Sequence, residues 1–211
     1  MRKLLRFFFH HFYHTFAWTY DFVAAVVSVG RWNDWTLAAI PYLAGRRILE
    51  IGHGPGHLQV ALRQKGLVAF GLDESRQMGR VALARITHSG LPLALSRGYA
   101  QFLPFGADCF DSVVATFPSE YINDPQTLAE ARRVLRPGGK MVIVPMAWMG
   151  REKLSDRAAS WLFRVTHQQV NWTEDLRERI KARFAEAGFS VSLNQVEIRQ
   201  SVALVIVAEK L

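Results

Sequence analysis

Between Glu50 and Leu62 the chain reads EIGHGPGHLQVAL, with glycines at 52, 54 and 56 set between a short apolar run and a helical pattern. A glycine has no Cβ, so such a turn bends tightly and lets a ligand lie against bare main chain. Strand, glycine-rich turn and helix together make the arrangement that holds adenosine-containing ligands at the carboxyl edge of a parallel sheet. Two carboxylates bracket the turn. Glu50 precedes the first glycine and is suited to an ammonium group. Asp73 follows the loop by about 20 residues, where a ribose diol needs an acceptor. The dinucleotide pattern G-x-G-x-x-G is not met, because its third glycine would fall at His57, and the spacing disfavours NAD.

Alternating strands and helices must position these groups. RRILEIG (46–52) predicts a short buried strand stopped by glycine, and HLQVALRQKG a helix ended by Gly66. LVAFGLD (67–73), LPLALSRG (91–98) and FDSVVATF (110–117) predict three further strands, with ESRQMGRVALARIT a helix between the first two. The last of these strands is apolar throughout its centre, as a strand covered on both faces should be. DPQTLAEARRVL reads as a helix with Pro125 in its first turn, where a missing N–H costs little. PGGKMVIV (137–144) is a turn and a fifth strand, and residues 148–171 read as less regular and helical. TEDLRERIKARFAEAG is an amphipathic helix with a Thr173 cap and a Gly188 stop. FSVSLNQVEI and SVALVIVAEK close the chain as strands, and the Arg199–Gln200 link is too short for a parallel crossover. The fold class expected is a doubly wound α/β, Rossmann-like seven-stranded sheet with one antiparallel strand, helices on both faces and N-terminal aromatic, amphipathic helices.

The pattern E-x-G-x-G-x-G resembles motif I of the class I S-adenosylmethionine-dependent methyltransferases, and the resemblance runs through most of the chain. It implies that Gly52, His53, Gly54 and Gly56 wrap the methionine moiety, with Glu50 toward its amino end. Asp73, with Glu74 beside it, would serve the ribose hydroxyls. YAQFLPF (99–105) resembles the family's acidic-Ala-x-x-LPF loop near adenine. Tyr99 replaces the usual aspartate, which leaves backbone contacts from Ala100 and Gln101. Thr116 and Phe117, ending the fourth strand, complete the implied cofactor contacts, and RVLRPGGKMVIV is typical of the entry to the fifth strand. S-adenosylmethionine is the implied cofactor and S-adenosylhomocysteine the implied product.

A narrower resemblance covers Tyr20-Asp21, Ser28, Gly30 and Trp35, spaced like the YD…SxG…W segment of ubiquinone/menaquinone biosynthesis C-methyltransferases. It implies that Tyr20 lies near the methionine end. Read from the residues alone, Tyr20 and Trp35 fit a lid that excludes water or plain core. ATFPSEYI and VPMAWMG depart from that subfamily, and phospholipid N-methyltransferases share the same plan, so the subfamily stays open. A sulfonium carries an activated methyl, so orientation does most of the work. A base is needed only if the acceptor must lose a proton. The candidates are Glu120, Tyr121 and His167, each of which also fits a loop or packing position. His53 and His57 fit packing and substrate-facing roles equally.

Composition sets the outer bounds. Half of the 211 residues are hydrophobic, the net charge is +8, and Cys109 is the single cysteine. Neither a disulfide nor a metal-ligand spacing is present, so a reduced compartment and no metal are expected. The positive charge suits an acidic partner. No nucleic-acid recognition motif appears, and an anionic membrane surface is the expected one. MRKLLRFFFHHFYHTFAWTYDFVAAVVSVG joins Arg2, Lys3 and Arg6 to a dense aromatic stretch. Histidines and Asp21 interrupt it, which argues against a signal peptide or a span and for an interfacial helix, with core packing as the plain alternative. The expected division is residues 1–35 as helical lid or membrane-surface segment and 36–211 as catalytic domain, cytoplasmic and peripheral on the inner membrane face. The expected reaction is methyl transfer to a membrane-dissolved acceptor, either a phospholipid head group or an isoprenoid quinone precursor. A methyltransferase for a small soluble metabolite and a non-catalytic cofactor-binding protein are the alternatives.

Overall fold

A computed structural model describes residues 31–149 and 174–211. Its centre is a seven-stranded sheet of order β3-β2-β1-β4-β5-β7-β6. The strands are β1 (Arg47–Ile51), β2 (Val68–Asp73), β3 (Leu95–Arg97), β4 (Phe110–Thr116), β5 (Leu135–Met149), β6 (Phe189–Ile198) and β7 (Ser201–Lys210). The helices are α1 (Trp32–Leu37), α2 (His57–Gln64), α3 (Arg76–His88), α4 (Pro125–Val134) and α5 (Glu174–Glu186). All pairings from β3 to β5 are parallel, while β7 runs antiparallel to both β5 and β6. The two-residue link between β6 and β7 forces this reversal, and Arg199 turns there with φ +56°.

Alternation along the strands sorts the core into two layers. Leu49, Ile51, Val113, Met141 and Ile206 face α4 and α5, burying Leu128, Ala131, Val134 and Phe184. Ile48, Ala69, Val114, Val142 and Val205 face α1 and α2, burying Trp35, Leu58 and Leu62. Glu50 has the parity of Ile48, so its carboxylate is sent into the second layer, toward α2. Helix α3 starts at Arg76 because the Ser75 side chain accepts from the Met78 N–H at 3.2 Å. Helix α4 starts at Pro125 because Asp124 accepts from the Gln126 N–H at 2.9 Å.

Three expectations shift. The third strand is only Leu95–Arg97, since β3 pairs β2 just along Gly71–Asp73. The second helix opens after the Ser75 cap and not at Glu74. The fifth strand extends to Met149, so Trp148 is strand and not helix. The reason is register: β7 pairs Ala147, Trp148 and Met149 with Ala203, Val202 and Ser201. The boundary expected at residues 35 and 36 falls within α1. No helix among the described residues is long and apolar enough to cross a membrane.

Candidate active site

The order β2-β1-β4 puts the reversal of winding between β1 and β4, and the loops leaving their carboxyl ends face one crevice. Glu50, Gly52, His53, Gly54 and Thr116 line it, with Trp32 and Thr36 from α1 and His57 at the head of α2. Gly52, Gly54 and Gly56 all hold positive φ, at +72°, +50° and +83°. They do different things. A Cβ on Gly54 would meet no atom of the described residues within 4 Å, so among them the loop is bare toward the crevice. A Cβ on Gly56 would lie 2.8 Å from that of Ala82, so this glycine lets α2 approach α3. A Cβ on Gly52 would lie 2.5 Å from the Tyr121 hydroxyl.

Asp73 braces the loop. One carboxylate oxygen accepts from the Gly54 N–H and the other from the Ser75 N–H, each at 2.8 Å. A carboxylate has about four acceptor sites, so both oxygens keep a lone pair for a diol. The His53 imidazole is buried with Nδ1 2.8 Å from the Gly54 carbonyl oxygen. That oxygen can only accept, so Nδ1 carries the proton. Burial pushes the His53 pKa below its ordinary value, while the Asp73 charge pulls the other way. The ring is a neutral strut of the loop. Its space exists because Gly71 has no side chain: a Cβ there would be 3.0 Å from His53 Cδ2 and 3.1 Å from Gln59 Cδ.

Glu50 is 1% exposed and lies beside Gly71 in the sheet register. Burial raises its pKa from 4.5 to about 8, with a hydrogen bond from Gln59 and the Arg63 charge opposing and the Asp73 charge adding. Gln59 Nε2 donates to Glu50 Oε2 at 2.7 Å, and Arg63 donates to Gln59 Oε1. Neither Gln59 nor Arg63 was singled out from the sequence. The available signal was a polar pair at i, i+4 beside the buried Leu58 and Leu62 stripe.

Phe117 holds φ +48° and stacks on Trp32 with ring centroids 4.2 Å apart. The Tyr121 hydroxyl donates to the Ile51 carbonyl at 3.1 Å, and Glu120 is exposed at the head of the 3-10 turn Glu120–Asn123. The 99–105 loop is tied to α4. Gln101 Nε2 donates to Asp124 at 3.0 Å, Glu130 accepts from the Leu103 N–H at 2.8 Å, and Arg133 donates to the carbonyls of Leu103 and Phe105. Ala100 is buried and Tyr99 is 59% exposed. Of the residues named from the sequence, Gly56, Asp73, Glu74, Ala100, Gln101, Phe117, Glu120 and Tyr121 do not line the crevice itself. Tyr20 and His167 lie outside the described residues.

A methyltransferase-domain family profile matches residues 48–139. A demethylmenaquinone methyltransferase of Clavibacter sepedonicus is 30% identical over 174 residues, covering 77% of this chain and 71% of that protein. The chain belongs to the class I S-adenosylmethionine-dependent methyltransferases. The ubiquinone/menaquinone biosynthesis C-methyltransferase of Geobacter sulfurreducens is 34% identical, over 68% of this chain and 59% of that one. A phosphoethanolamine N-methyltransferase of Haemonchus contortus, solved with S-adenosylmethionine, shares the fold with a TM-score of 0.66 at 21% identity, covering 95% of this chain and 59% of that one.

This methyltransferase uses S-adenosylmethionine, and the residues present fit it. The bare crevice face of Gly54, the open acceptor sites of Asp73 and the buried Glu50 carboxyl suit a main-chain contact, a diol and an ammonium group in turn. The cofactor supplies a methyl group already activated on a sulfonium.

Proposed function

We propose that this methyltransferase transfers the methyl group to a hydrophobic acceptor at a membrane surface, a quinone precursor ring or the head group of a phospholipid. The observation that carries this reading is the Trp32–Phe117 stack beside the glycine loop. A bulky residue in the left-handed region is strained by about 1–3 kcal/mol. Here the strained conformation seats the Phe117 ring against Trp32, which lines the crevice. With Leu58 and Pro55, Trp32 forms an apolar face against which a flat or lipidic acceptor can be aligned and water excluded.

Within this reading Glu50 meets the ammonium of the cofactor, Asp73 its ribose, and the glycine loop its methionine half, while Ala100 and Gln101 belong to the adenine side. Tyr121 holds the loop by its bond to Ile51. Where the acceptor must lose a proton, Glu120 and His167 are the candidates to take it. Residues 1–35 supply the lid and the contact with anionic lipid, from Arg2, Lys3, Arg6 and the aromatics after them, on the cytoplasmic face of the membrane.

The test is incubation with methyl-labelled S-adenosylmethionine and a cell extract separated into lipid and aqueous fractions. Label is expected in the lipid fraction. Label confined to the aqueous fraction would replace this reading with a soluble acceptor, and no transfer to either fraction would favour cofactor binding without turnover. Co-sedimentation of the full chain with anionic vesicles checks the membrane part separately.

A further inference from the structure

Beneath the crevice, three polar side chains of the second layer form a line leading away from it. Glu50 is the first, Gln59 the second and Arg63 the third, and all are buried. Arg63 is fixed by main chain on both sides: its Nη2 donates to the Ala69 carbonyl and its Nε to the Pro92 carbonyl, each at 2.7 Å. Its remaining arm donates to Gln59 Oε1. That settles which way the Gln59 amide faces. Its oxygen must turn to Arg63, and its nitrogen therefore donates to Glu50 Oε2 at 2.7 Å and to the Phe70 carbonyl at 3.2 Å. Among the described residues Glu50 Oε1 takes no hydrogen bond, and Glu50 lines the crevice.

We propose that Gln59 and Arg63 are positioning residues for the amino-acid half of the cofactor: Arg63 orients the Gln59 amide, and the amide anchors one oxygen of Glu50 so that the other is presented to the ligand's ammonium group. The inference rests on the reading that Glu50 meets that ammonium. A buried carboxylate swings freely, or stays protonated, unless something fixed donates to it. The line supplies a fixed donor and, one residue further, a positive charge that does not itself reach the carboxylate. His53 in the loop and His57 at the head of α2 are the other titratable groups lining the same crevice, and Asp73 at the end of β2 stands behind the loop, bonded to the Gly54 N–H. Asp73 opposes ionisation of Glu50, and Gln59 and Arg63 favour it. Ammonium binding then displaces the proton that burial keeps on Glu50, so affinity for the amino-acid half rises with pH toward about 8.

The experiment compares two ligands by calorimetry on the full chain across pH 6 to 8.5: S-adenosylhomocysteine, and 5′-methylthioadenosine, which lacks the amino-acid half. Gln59→Met and Arg63→Met are expected to weaken S-adenosylhomocysteine about 10-fold or more, the scale of a hydrogen bond to a charged group. They are expected to leave 5′-methylthioadenosine unchanged and to move the pH midpoint for S-adenosylhomocysteine upward. Equal weakening of both ligands, or of neither, would overturn the inference. Glu50→Gln separates it from the reading beneath: if that variant leaves the ratio of the two affinities unchanged, Glu50 does not meet the ammonium at all. Should Arg63→Met fail to fold, Gln59→Met carries the test, because it leaves the Arg63 bonds to Ala69 and Pro92 in place.

Discussion

The Tyr121 hydroxyl donates to the Ile51 carbonyl at 3.1 Å, joining the turn after β4 to the last residue of β1. That contact takes the space a side chain on Gly52 would fill. A Cβ there would stand 2.5 Å from the hydroxyl, and the residue also holds φ +72°. Gly52→Ala is expected to lower stability by about 2–3 kcal/mol, part from the clash and about 1–2 kcal/mol from the left-handed backbone. Urea unfolding measures it. Adding Tyr121→Phe should recover the clash and not the backbone strain, and a single variant as stable as the parent would contradict the contact.

Gly54 separates strain from ligand contact. Among the described residues nothing lies within 4 Å of a Cβ added there, so Gly54→Val should fold, losing about 1–2 kcal/mol to its φ of +50°. The branched side chain would project into the crevice instead. Calorimetry with S-adenosylhomocysteine is expected to find no binding, and parental affinity would remove Gly54 from the cofactor contact.

Glu50 sets function against stability. Its pKa in the fold is raised from 4.5 to about 8, so between those values the native state holds a proton that the unfolded chain has released. The unfolded state then binds fewer protons, and stability falls as pH rises through that window, by at most about 1.4 kcal/mol per pH unit, and levels off above it. Glu50→Gln removes this dependence. Its melting temperature should match the parent's near pH 4.5 and exceed it increasingly toward pH 8, while S-adenosylhomocysteine affinity drops. A constant gap in melting temperature across that range would show that Glu50 is ionised throughout.

Trp35 fastens α1 to the far end of the sheet. Its Nε1 donates to Ser201 Oγ at 2.8 Å, and that hydroxyl donates to the Ile198 carbonyl at 2.7 Å. Trp35→Phe and Ser201→Ala should each destabilise by about 1–3 kcal/mol, the double variant by less than the sum. Strict additivity in a double-mutant cycle would mean that the indole and the hydroxyl do not communicate.

Much of the fold could be read from local pattern. The β6–β7 hairpin follows from a two-residue link, and the Gly188 helix stop, at φ +80°, from the absence of a Cβ. Leu91–Ala94 looked like strand because they are apolar, yet β2 offers no partner before Gly71, so only three residues pair. Trp148 looked irregular because its partner, Val202, lies more than fifty residues away in a strand that local periodicity cannot see.

The same division runs through the site. Glycine spacing and two carboxylates named the loop, because backbone freedom and charge are properties of single residues. Why three glycines are needed is a tertiary matter: one yields to Tyr121, one leaves the crevice open and one makes way for Ala82. Gln59 and Arg63 offered only a polar pair at i, i+4, Phe117 only its place at the end of the fourth strand, and Gly71 and Trp32 no signal of their own. Their meaning comes from which strand faces which helix, and packing alone decides that. Residue types along the chain determined that a nucleoside-bearing sulfonium could be held here, and the fold decided which buried groups aim the carboxyl that holds it.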